Sequence, residues 1–195
     1  MVMNIYEFTD YKGFVRAWIA ELPKRGRGEL RRIALRLNVS TTMVSQVFNG
    51  EKHLSLELAS ELDNRGFAGL ACPSIGGTMS LCVSLAHVTR QLKFWTSIQP
   101  IYHSHPTEVA VTAAHLAEIS GGRFRLGLGV SHAPAMQRLG IDTGRPLGDM
   151  RNYVSSLRAS EPMTGALPSV WLATLRNRML DLAVECADGA IWANA

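Results

Sequence analysis

From Arg65 onward, short apolar runs rich in β-branched and aromatic residues alternate with stretches whose apolar residues recur at helical spacing. Such runs are typical of strands buried on both faces, and consecutive parallel strands need a crossover that covers them. The pattern therefore predicts an α/β fold with a parallel sheet over residues 65–195. The predicted strands are 66–72, 92–101, 124–130, 169–174 and 189–193.

The segment SGGRFRLGLGVSHAP, residues 120–134, contains the third of these strands. Gly127, Gly129 and Ser131 lie at its carboxyl end, where parallel α/β proteins bind ligands. Glycine lets a ligand approach the backbone, and Ser131 with His132 can donate hydrogen bonds to a phosphate or a polar ring edge. The spacing matches neither a dinucleotide fingerprint nor a P-loop. Glycines needed for close packing are therefore as good an interpretation as glycines needed for a cofactor.

Residues 1–64 have a different pattern, with the apolar spacing of four short helices. In ELRRIALRLNVSTTMVSQVFNG, small Ala34 allows two helices to approach closely, which indicates a helix-turn-helix. Short polar groups on the second helix can reach base edges, and the basic residues around it can contact phosphates. The candidate DNA contacts are Arg31, Arg32, Thr41, Thr42, Ser45, Gln46, Asn49 and Lys52. An ordinary helical bundle with a solvated polar face explains the same pattern.

Composition adds a few limits. Twenty Lys and Arg against 16 Asp and Glu is a mild basic excess that by itself argues for neither nucleic acid nor membrane. The three cysteines are odd in number and lack metal-ligand spacing, so we expect no metal site, no disulfide framework and a cytoplasmic location. The sequence contains neither a leader pattern nor an apolar run approaching eighteen residues, so we expect no membrane association.

The first third of the chain resembles a known family. NIYEFTDYKGFVRAWI followed by RRIALRLNVSTTMVSQVFNGEKHLSLELASEL is similar to the N-terminal region of a bacterial family of transcriptional regulators. The resemblance implies a small all-α helix-turn-helix domain over residues 1–64, with double-stranded DNA as its partner.

The rest of the chain resembles a second family. RGFAGLACP, LKFWTSIQPIYHSHPTEVAVTAAHLAEISGGRFRLGLGVSH, LGIDTGRPLGDMRNYVSSLRA and PSVWLATLRNRMLDLAVECADGAIWANA look like successive pieces of the luciferase-like monooxygenase superfamily, in particular its deazaflavin-dependent branch. The resemblance implies a TIM-type (β/α) barrel that uses coenzyme F-420 or FMN for hydride transfer or oxygen activation. It places the following residues around the cofactor: Thr96, Ser97, His105, Gly127, Gly129, Ser131 and His132. It assigns no catalytic residue.

Three features of the sequence favour interpretations that differ from what this resemblance implies. Five strands are predicted where a barrel needs eight, so we expect an incomplete barrel with an impaired ligand mouth, doubtful activity and open edges that favour a homodimer. His105 precedes Pro106 and is equally explained as the start of a helix. Trp95, Trp171 and Trp192 each lie inside an apolar strand and are interpreted as core and not as a stacking platform for a ligand. The alternative function is a DNA-binding regulator whose α/β region is a non-catalytic fragment.

Overall fold

The computed structural model of this chain describes residues 11–37, 40–42, 44–45, 56–74, 77–131, 136–137 and 139–192. Its backbone contacts divide into two units that separate between Ser55 and Leu56. The sequence predicted this boundary after Asn64. The helix Leu56–Asn64 instead groups with the second unit, because its buried residues pack in that unit's core.

The first unit is helical where it is described. Helix α1 spans Tyr11–Glu21, a short 3-10 helix spans Pro23–Gly26, and helix α2 spans Glu29–Leu37. Ala34 and Val44 are both buried, which agrees with the apolar spacing of the sequence. In the first turn of α2, the carboxylate of Glu29 lies 2.6 Å from the guanidinium of Arg32.

The second unit alternates helices and strands. In chain order they are α3 (Leu56–Asn64), β1 (Gly69–Pro73), α4 (Thr78–Val88), β2 (Lys93–Ser97), β3 (Gln99–Pro100), α5 (Pro106–Ile119), β4 (Phe124–Gly129), α6 (Pro146–Ala159), α7 (Glu161–Thr164), β5 (Val170–Ala173), α8 (Asn177–Cys186) and β6 (Gly189–Ile191). All strand pairs are parallel, and the sheet order is β1-β2-β4-β5-β6, with β3 beside β4. The strands therefore follow chain order across the sheet, as in an arc of a (β/α) barrel, and do not reverse as in a doubly wound fold.

The five predicted strands are all present, but the segment 92–101 is divided. Its first half, β2, pairs with the start of β4, and its second half, β3, pairs with the end of β4. The break falls at Ser97–Ile98, whose peptide bond is cis. The prediction of one strand over 92–101 did not use the polar residues Thr96, Ser97 and Gln99 and the proline at position 100, which surround this break.

The two faces of the sheet differ in what covers them. Phe94, Leu126, Leu128 and Leu172 are fully buried in one apolar core with the helices, and we call their side the outer face. Because side chains alternate along a strand, residues between these positions point to the opposite, inner face.

Half-buried tryptophan rings from β2 and β5 lie on the inner face. The ring centroids of Trp95 and Trp171 are 6.0 Å apart. A Cβ on Gly69 would lie 2.6 Å from the Trp95 ring, and one on Gly189 would lie 2.7 Å from the Trp171 ring. Glycine is therefore required at both neighbouring positions to make room for the rings. Neither ring belongs to the buried core on the outer face, so their interpretation as core was wrong: they pack against each other on the half-buried inner face.

A buried carboxylate ties α3 to the loop that leads into β2. Asp63 accepts hydrogen bonds from the backbone N–H groups of Arg90 (2.6 Å), Gln91 (2.9 Å) and Leu92 (2.5 Å). Burial alone would raise the pKa of Asp63, but the three backbone donors and the positive charge of Arg123 outweigh it and lower the pKa below its ordinary value of 3.8.

Two further side chains close the same amino-terminal edge of the sheet. The Arg123 guanidinium donates to Thr89 Oγ1 at 2.6 Å and to the Ala86 carbonyl at 3.0 Å. Asp188, in the late Ala-Asp-Gly segment, accepts from the Val170 backbone N–H at 2.8 Å and from Arg158 at 3.1 Å. These bonds stabilise the edge opposite to the one where ligands bind in such folds.

Candidate functional site

Three of the predicted residues lie at the carboxyl ends of neighbouring strands. Ser97 ends β2, Gly129 ends the adjacent β4, and Ser131 follows two residues later. Ser131 has a backbone φ of 61°, in the left-handed region that side-chain-bearing residues rarely adopt. The side chains of Ser97 and Ser131 are half-buried, and neither hydroxyl is hydrogen-bonded within the described part of the chain. Two free hydroxyl groups therefore flank the end of β4.

Thr96 and Gly127 have a different role from the one that the resemblance implied. Thr96 is fully buried; its hydroxyl donates to the Gly127 carbonyl at 2.7 Å and accepts from the Gly127 N–H at 2.9 Å. These bonds continue the pairing of β2 with β4 past its last backbone pair, Trp95 with Arg125. A Cβ on Gly127 would overlap the Thr96 carbonyl oxygen. Both residues therefore join two strands, and the Thr96 hydroxyl has both hydrogen bonds within the protein.

Gly129 lies next to the side chain of Ile98. A Cβ there would lie 2.7 Å from Cδ1 and 2.9 Å from Cγ1 of Ile98. The glycine makes room for Ile98, which forms an apolar surface between Ser97 and the end of β4. Part of the close-packing interpretation of the glycines is thus confirmed at Gly127 and Gly129.

Only one of the two histidines that were predicted to lie near the cofactor, His105 and His132, is described by the structure. His105 is exposed at the start of α5, where its Nδ1 accepts from the Thr107 N–H at 3.3 Å and Pro106 occupies the first turn. It caps the helix, as the alternative interpretation predicted. His132 lies outside the described residues.

A cavity of about 380 Å³ opens beside this edge, between the starts of α4 and α5 and the end of β3. Its polar lining includes Ser74, Thr78, Gln99, His103, Ser104 and Glu108. The sequence analysis selected none of these residues. Gln99 was the available signal, because it is a polar residue inside the apolar run of a predicted strand.

Two tyrosines hold the segment that carries His103 and Ser104. The Tyr102 hydroxyl donates to the Asp149 carboxylate at 2.8 Å, and the Tyr153 hydroxyl donates to the Ser104 carbonyl at 3.0 Å. Burial and the neighbouring carboxylate raise the pKa of Tyr102 to about 12. Burial also raises the pKa of Tyr153. Both hydroxyls therefore stay protonated at neutral pH and act as donors that fix the loop to α6.

The predicted DNA contacts are only partly described. Arg31, Arg32, Thr41 and Thr42 are exposed, and Ser45 is half-buried. Gln46, Asn49 and Lys52 lie outside the described residues.

The described part of the chain shows neither a disulfide nor a cluster of metal-binding side chains. Cys72, Cys82 and Cys186 are free thiols. A hydrogen bond with Cys72 and burial raise the pKa of the Cys82 thiol, which disfavours the reactive thiolate. Within the described ranges, no group of three or more His, Cys, Asp or Glu side chains is placed to hold a metal ion. Nor does any helix there have the length and apolarity that crossing a bilayer requires.

Parallel strands in chain order, helices on the outer face and free polar groups at the carboxyl edge define the class of (β/α)-barrel proteins that bind ligands at strand ends. Within that class, the family model for luciferase-like monooxygenases matches residues 40–164. The chain belongs to the luciferase-like monooxygenase family. The match begins inside the predicted helix-turn-helix segment, and no comparison supports a regulator at the N-terminus.

Curated relatives agree with this assignment. A 5,10-methylenetetrahydromethanopterin reductase of Archaeoglobus fulgidus is 28% identical over 132 residues, which cover 57% of this chain and 40% of the relative. A 4-hydroxyprotoasukamycin monooxygenase of Streptomyces nodosus subsp. asukaensis is 38% identical over 111 residues, covering 52% and 29%. The chain thus spans less than half the length of these relatives.

Solved structures show the same fold. A coenzyme F-420-dependent tetrahydromethanopterin reductase from Methanopyrus kandleri superposes with a TM-score of 0.59 at 18% identity, covering 70% of this chain and 52% of the other. The oxygenating component of 3,6-diketocamphane monooxygenase from Pseudomonas putida, solved with FMN, gives a TM-score of 0.58 at 16% identity, covering 70% and 51%. At these identities the likeness concerns the fold alone.

Proposed function

We propose that the second unit binds FMN or a deazaflavin coenzyme on the inner side of its carboxyl edge and serves the oxidoreductase chemistry of the luciferase-like family. The observation that carries the proposal is that the half-buried Ser97 and Ser131, whose hydroxyls make no hydrogen bond within the described residues, lie at or just past the carboxyl ends of β2 and β4, where the Ile98 side chain lies against Gly129. The names of the structural neighbours, one solved with FMN and one dependent on coenzyme F-420, supply the two candidate cofactors.

The residues at this edge suit a flavin-like ring. Such a ring is flat and largely apolar, with alternating hydrogen-bond donors and acceptors along one side. Ile98 offers an apolar surface, and the neighbouring hydroxyls of Ser97 and Ser131 can each donate and accept. Ligand sites of this composition, apolar with a few polar groups that fix orientation, are typical of small-molecule pockets.

The bound cofactor would supply hydride transfer or the activation of oxygen. Ser97 and Ser131 would orient the ring, since each lies at the end of a strand in the sheet or just beyond it. Thr96 and Gly127 would act through the backbone, because their mutual hydrogen bonds fix the position of Ser97 relative to β4. They are positioning residues.

A fluorescence titration of the purified full chain with FMN and with coenzyme F-420 tests the proposal. We expect saturable binding of at least one cofactor and a loss of roughly tenfold in affinity in Ser97→Ala or Ser131→Ala, about one hydrogen bond's contribution. Ser155→Ala, at an exposed position of α6, is the matched control and should bind like the unmodified chain. Absence of binding by the unmodified chain, or equal binding by all three variants, would overturn the proposal.

We infer a second candidate role, DNA binding, for the first unit from the exposed polar and basic side chains at Arg31, Thr41 and Thr42. Its test is an electrophoretic mobility shift with the full chain at several salt concentrations. Arg31→Ala should weaken binding to all sequences alike and reduce the salt slope by about one. Arg178→Ala, an exposed arginine of α8, should leave binding unchanged. A chain that binds no DNA at low salt excludes this role.

A further inference from the structure

Two of the three cysteines lie side by side in the outer core of the second unit. Cys72 belongs to β1 and Cys82 to α4, and 1% and 0% of their surfaces are exposed. They pack in the same apolar core as Phe94 and Leu126, on the helix-covered outer face of the sheet. Neither residue takes part in the proposed cofactor site, so an inference about this thiol pair does not rest on that proposal.

The start of α4 is fixed so that Cys82 faces Cys72. The Thr78 hydroxyl donates to the carbonyl of Pro73 at 3.0 Å, and Pro73 directly follows Cys72 in β1. Cys82 lies one helical turn after Thr78, so both side chains point from the same face of α4 towards β1. There the Cys82 thiol forms a hydrogen bond with the Cys72 thiol. The two sulfur atoms are therefore neighbours with their side chains directed at each other, as a disulfide requires.

The surroundings of the two thiols give them different chemical roles. The hydrogen bond with Cys72 and burial raise the pKa of Cys82, so this residue stays a protonated thiol. An S–H group that points at a neighbouring sulfur stabilises negative charge there, so the thiolate of the pair forms on Cys72. Because oxidants react with a thiolate and not with a thiol, Cys72 reacts first and Cys82 is the resolving thiol.

The strand that carries Cys72 lies at the edge of the sheet. Within the described residues, β1 pairs only with β2. The residues on either side of Cys72, Ala71 and Pro73, are exposed, and so is Ser74. A strand with one partner and exposed residues opens locally at a lower free energy than the centre of a sheet. A small uncharged oxidant can therefore reach the thiol pair without global unfolding.

We propose that Cys72 and Cys82 form a reversible intramolecular disulfide on reaction with hydrogen peroxide. The Cys72 thiolate attacks one oxygen of the peroxide, the O–O bond breaks, and the leaving hydroxide takes up a proton to become water. The Cys82 sulfur then attacks the Cys72 sulfenic acid: an S–S bond forms, the S–O bond breaks, and a second water leaves with the Cys82 proton. Two thiols and one peroxide thus give one disulfide and two waters, and the bond fixes β1 to α4.

Mass spectrometry of the purified full chain tests the proposal. The reduced chain is treated with hydrogen peroxide, its remaining thiols are alkylated in denaturant, and the chain is digested with trypsin. Cleavage after arginine places both cysteines of the pair on peptide 66–90 and Cys186 on peptide 179–195. We expect peptide 66–90 to lose one hydrogen atom at each cysteine and to take up no alkylating agent, while peptide 179–195 is alkylated as before. Dithiothreitol should restore both thiols of peptide 66–90.

Single variants test the two roles. In Cys82→Ala, the Cys72 sulfenic acid has no resolving thiol, so it should accumulate and be trapped by dimedone. In Cys72→Ala, Cys82 should remain a thiol that takes up the alkylating agent, because burial keeps it protonated. Cys186→Ala is the matched control: it removes the free thiol outside the pair and should form the disulfide as the unmodified chain does.

Three outcomes contradict the proposal. In the first, peptide 66–90 of the unmodified chain still takes up two alkyl groups after peroxide treatment. In the second, dithiothreitol does not restore its thiols, or the main product joins it to peptide 179–195. In the third, dimedone traps Cys82 in Cys72→Ala and does not trap Cys72 in Cys82→Ala, which reverses the order of the two steps.

Discussion

Thr96 is the residue whose role the structure changed most. Its hydroxyl group makes both a donated and an accepted bond to Gly127, 31 positions away in the chain. A threonine inside an apolar strand signals only a buried hydroxyl that needs a partner. The family resemblance implied a cofactor ring as that partner, whereas the neighbouring strand supplies it. Local sequence does not identify a partner at this separation, because Thr96 and Gly127 are brought together only by the pairing of β2 with β4.

Thr96→Val should therefore lower the free energy of unfolding by about 1–3 kcal/mol, since it leaves the N–H and carbonyl of Gly127 buried without partners. Chemical denaturation measures the change. Thr112→Val is the control: its hydroxyl bonds only to the Glu108 carbonyl within the same helix, and its effect should stay within about 0.5 kcal/mol. Equal effects of the two substitutions would show that the bridge contributes nothing.

The cost of adding a side chain at a glycine of β4 depends on which atoms lie next to that position. A Cβ on Gly127 meets backbone, one on Gly129 meets the Ile98 side chain, and one on Gly148 in α6 meets nothing within 4 Å. We expect Gly127→Ala to destabilise by about 3 kcal/mol or more and Gly129→Ala by about 1–2 kcal/mol, because a side chain yields more easily than backbone. Gly148→Ala should stabilise by about 0.5–1 kcal/mol through helix propensity. Thermal melts of the three variants give the ranking, and any other order contradicts the packing described.

At the scale of elements, the alternation of apolar runs was enough to predict five strand segments, which contain all six strands described, and their parallel direction. The sequence did not show that 92–101 bends into two strands, and it did not decide whether Leu56–Asn64 packs with the first unit or with the second. Both outcomes depend on contacts across the fold: β3 exists through its pairing with the end of β4, and α3 is fixed by the bonds that Asp63 accepts from residues 90–92. An aspartate near a helix end is common in exposed helices, so its burial carried no local signal.

Asp63→Asn should show how much this connection between α3 and the loop before β2 contributes to the free energy of unfolding. The folded-state pKa of Asp63 is lowered, so its stabilisation is fully present above the ordinary value of 3.8 and is lost as the pH falls through the folded-state pKa. We expect the substitution to lower the free energy of unfolding by about 2–3 kcal/mol at pH 7, because the amide cannot accept three hydrogen bonds as a charged carboxylate does. The effect should shrink below about pH 4, where Asp63 of the unmodified chain loses its charge.

Denaturation across this pH range makes the measurement. Glu61→Gln, which removes a largely exposed carboxylate of α3 paired with Arg65 just after the helix, is the matched control and should lower the free energy of unfolding by less than about 0.5 kcal/mol. The unmodified chain and Asp63→Asn are compared by their free energies of unfolding. If the difference between them stays constant down to the lowest pH at which both fold, the negative charge of Asp63 does not stabilise the loop.

At the scale of the whole molecule, the family resemblance of the sequence implied the barrel-type class, and the sequence pattern placed a ligand site at the carboxyl edge, which stays a prediction. The sequence did not predict the cavity between α4 and α5, because that cavity forms where two helix starts and a short strand meet in space. Within the described residues, β1 and β6 each pair with one neighbour, so the sheet has two open edges. Open edges with apolar side chains favour pairing with another chain.

The β6 edge is the more exposed to such pairing, because Leu175 is 54% and Trp192 57% exposed beside it. The interpretation of Trp192 as core was therefore wrong, since the residue follows the last strand and no described element covers it. We expect the chain to self-associate with increasing concentration, in agreement with the homodimer expected from the sequence. Trp192→Lys should raise the dissociation constant about tenfold, since it places a charge at the edge and removes apolar contact area. Val184→Lys, at an even more exposed apolar position on α8, is the matched control. Sedimentation velocity over a concentration series distinguishes the outcomes: a chain that stays monomeric throughout, or equal weakening by both substitutions, would mean that this edge does not mediate association.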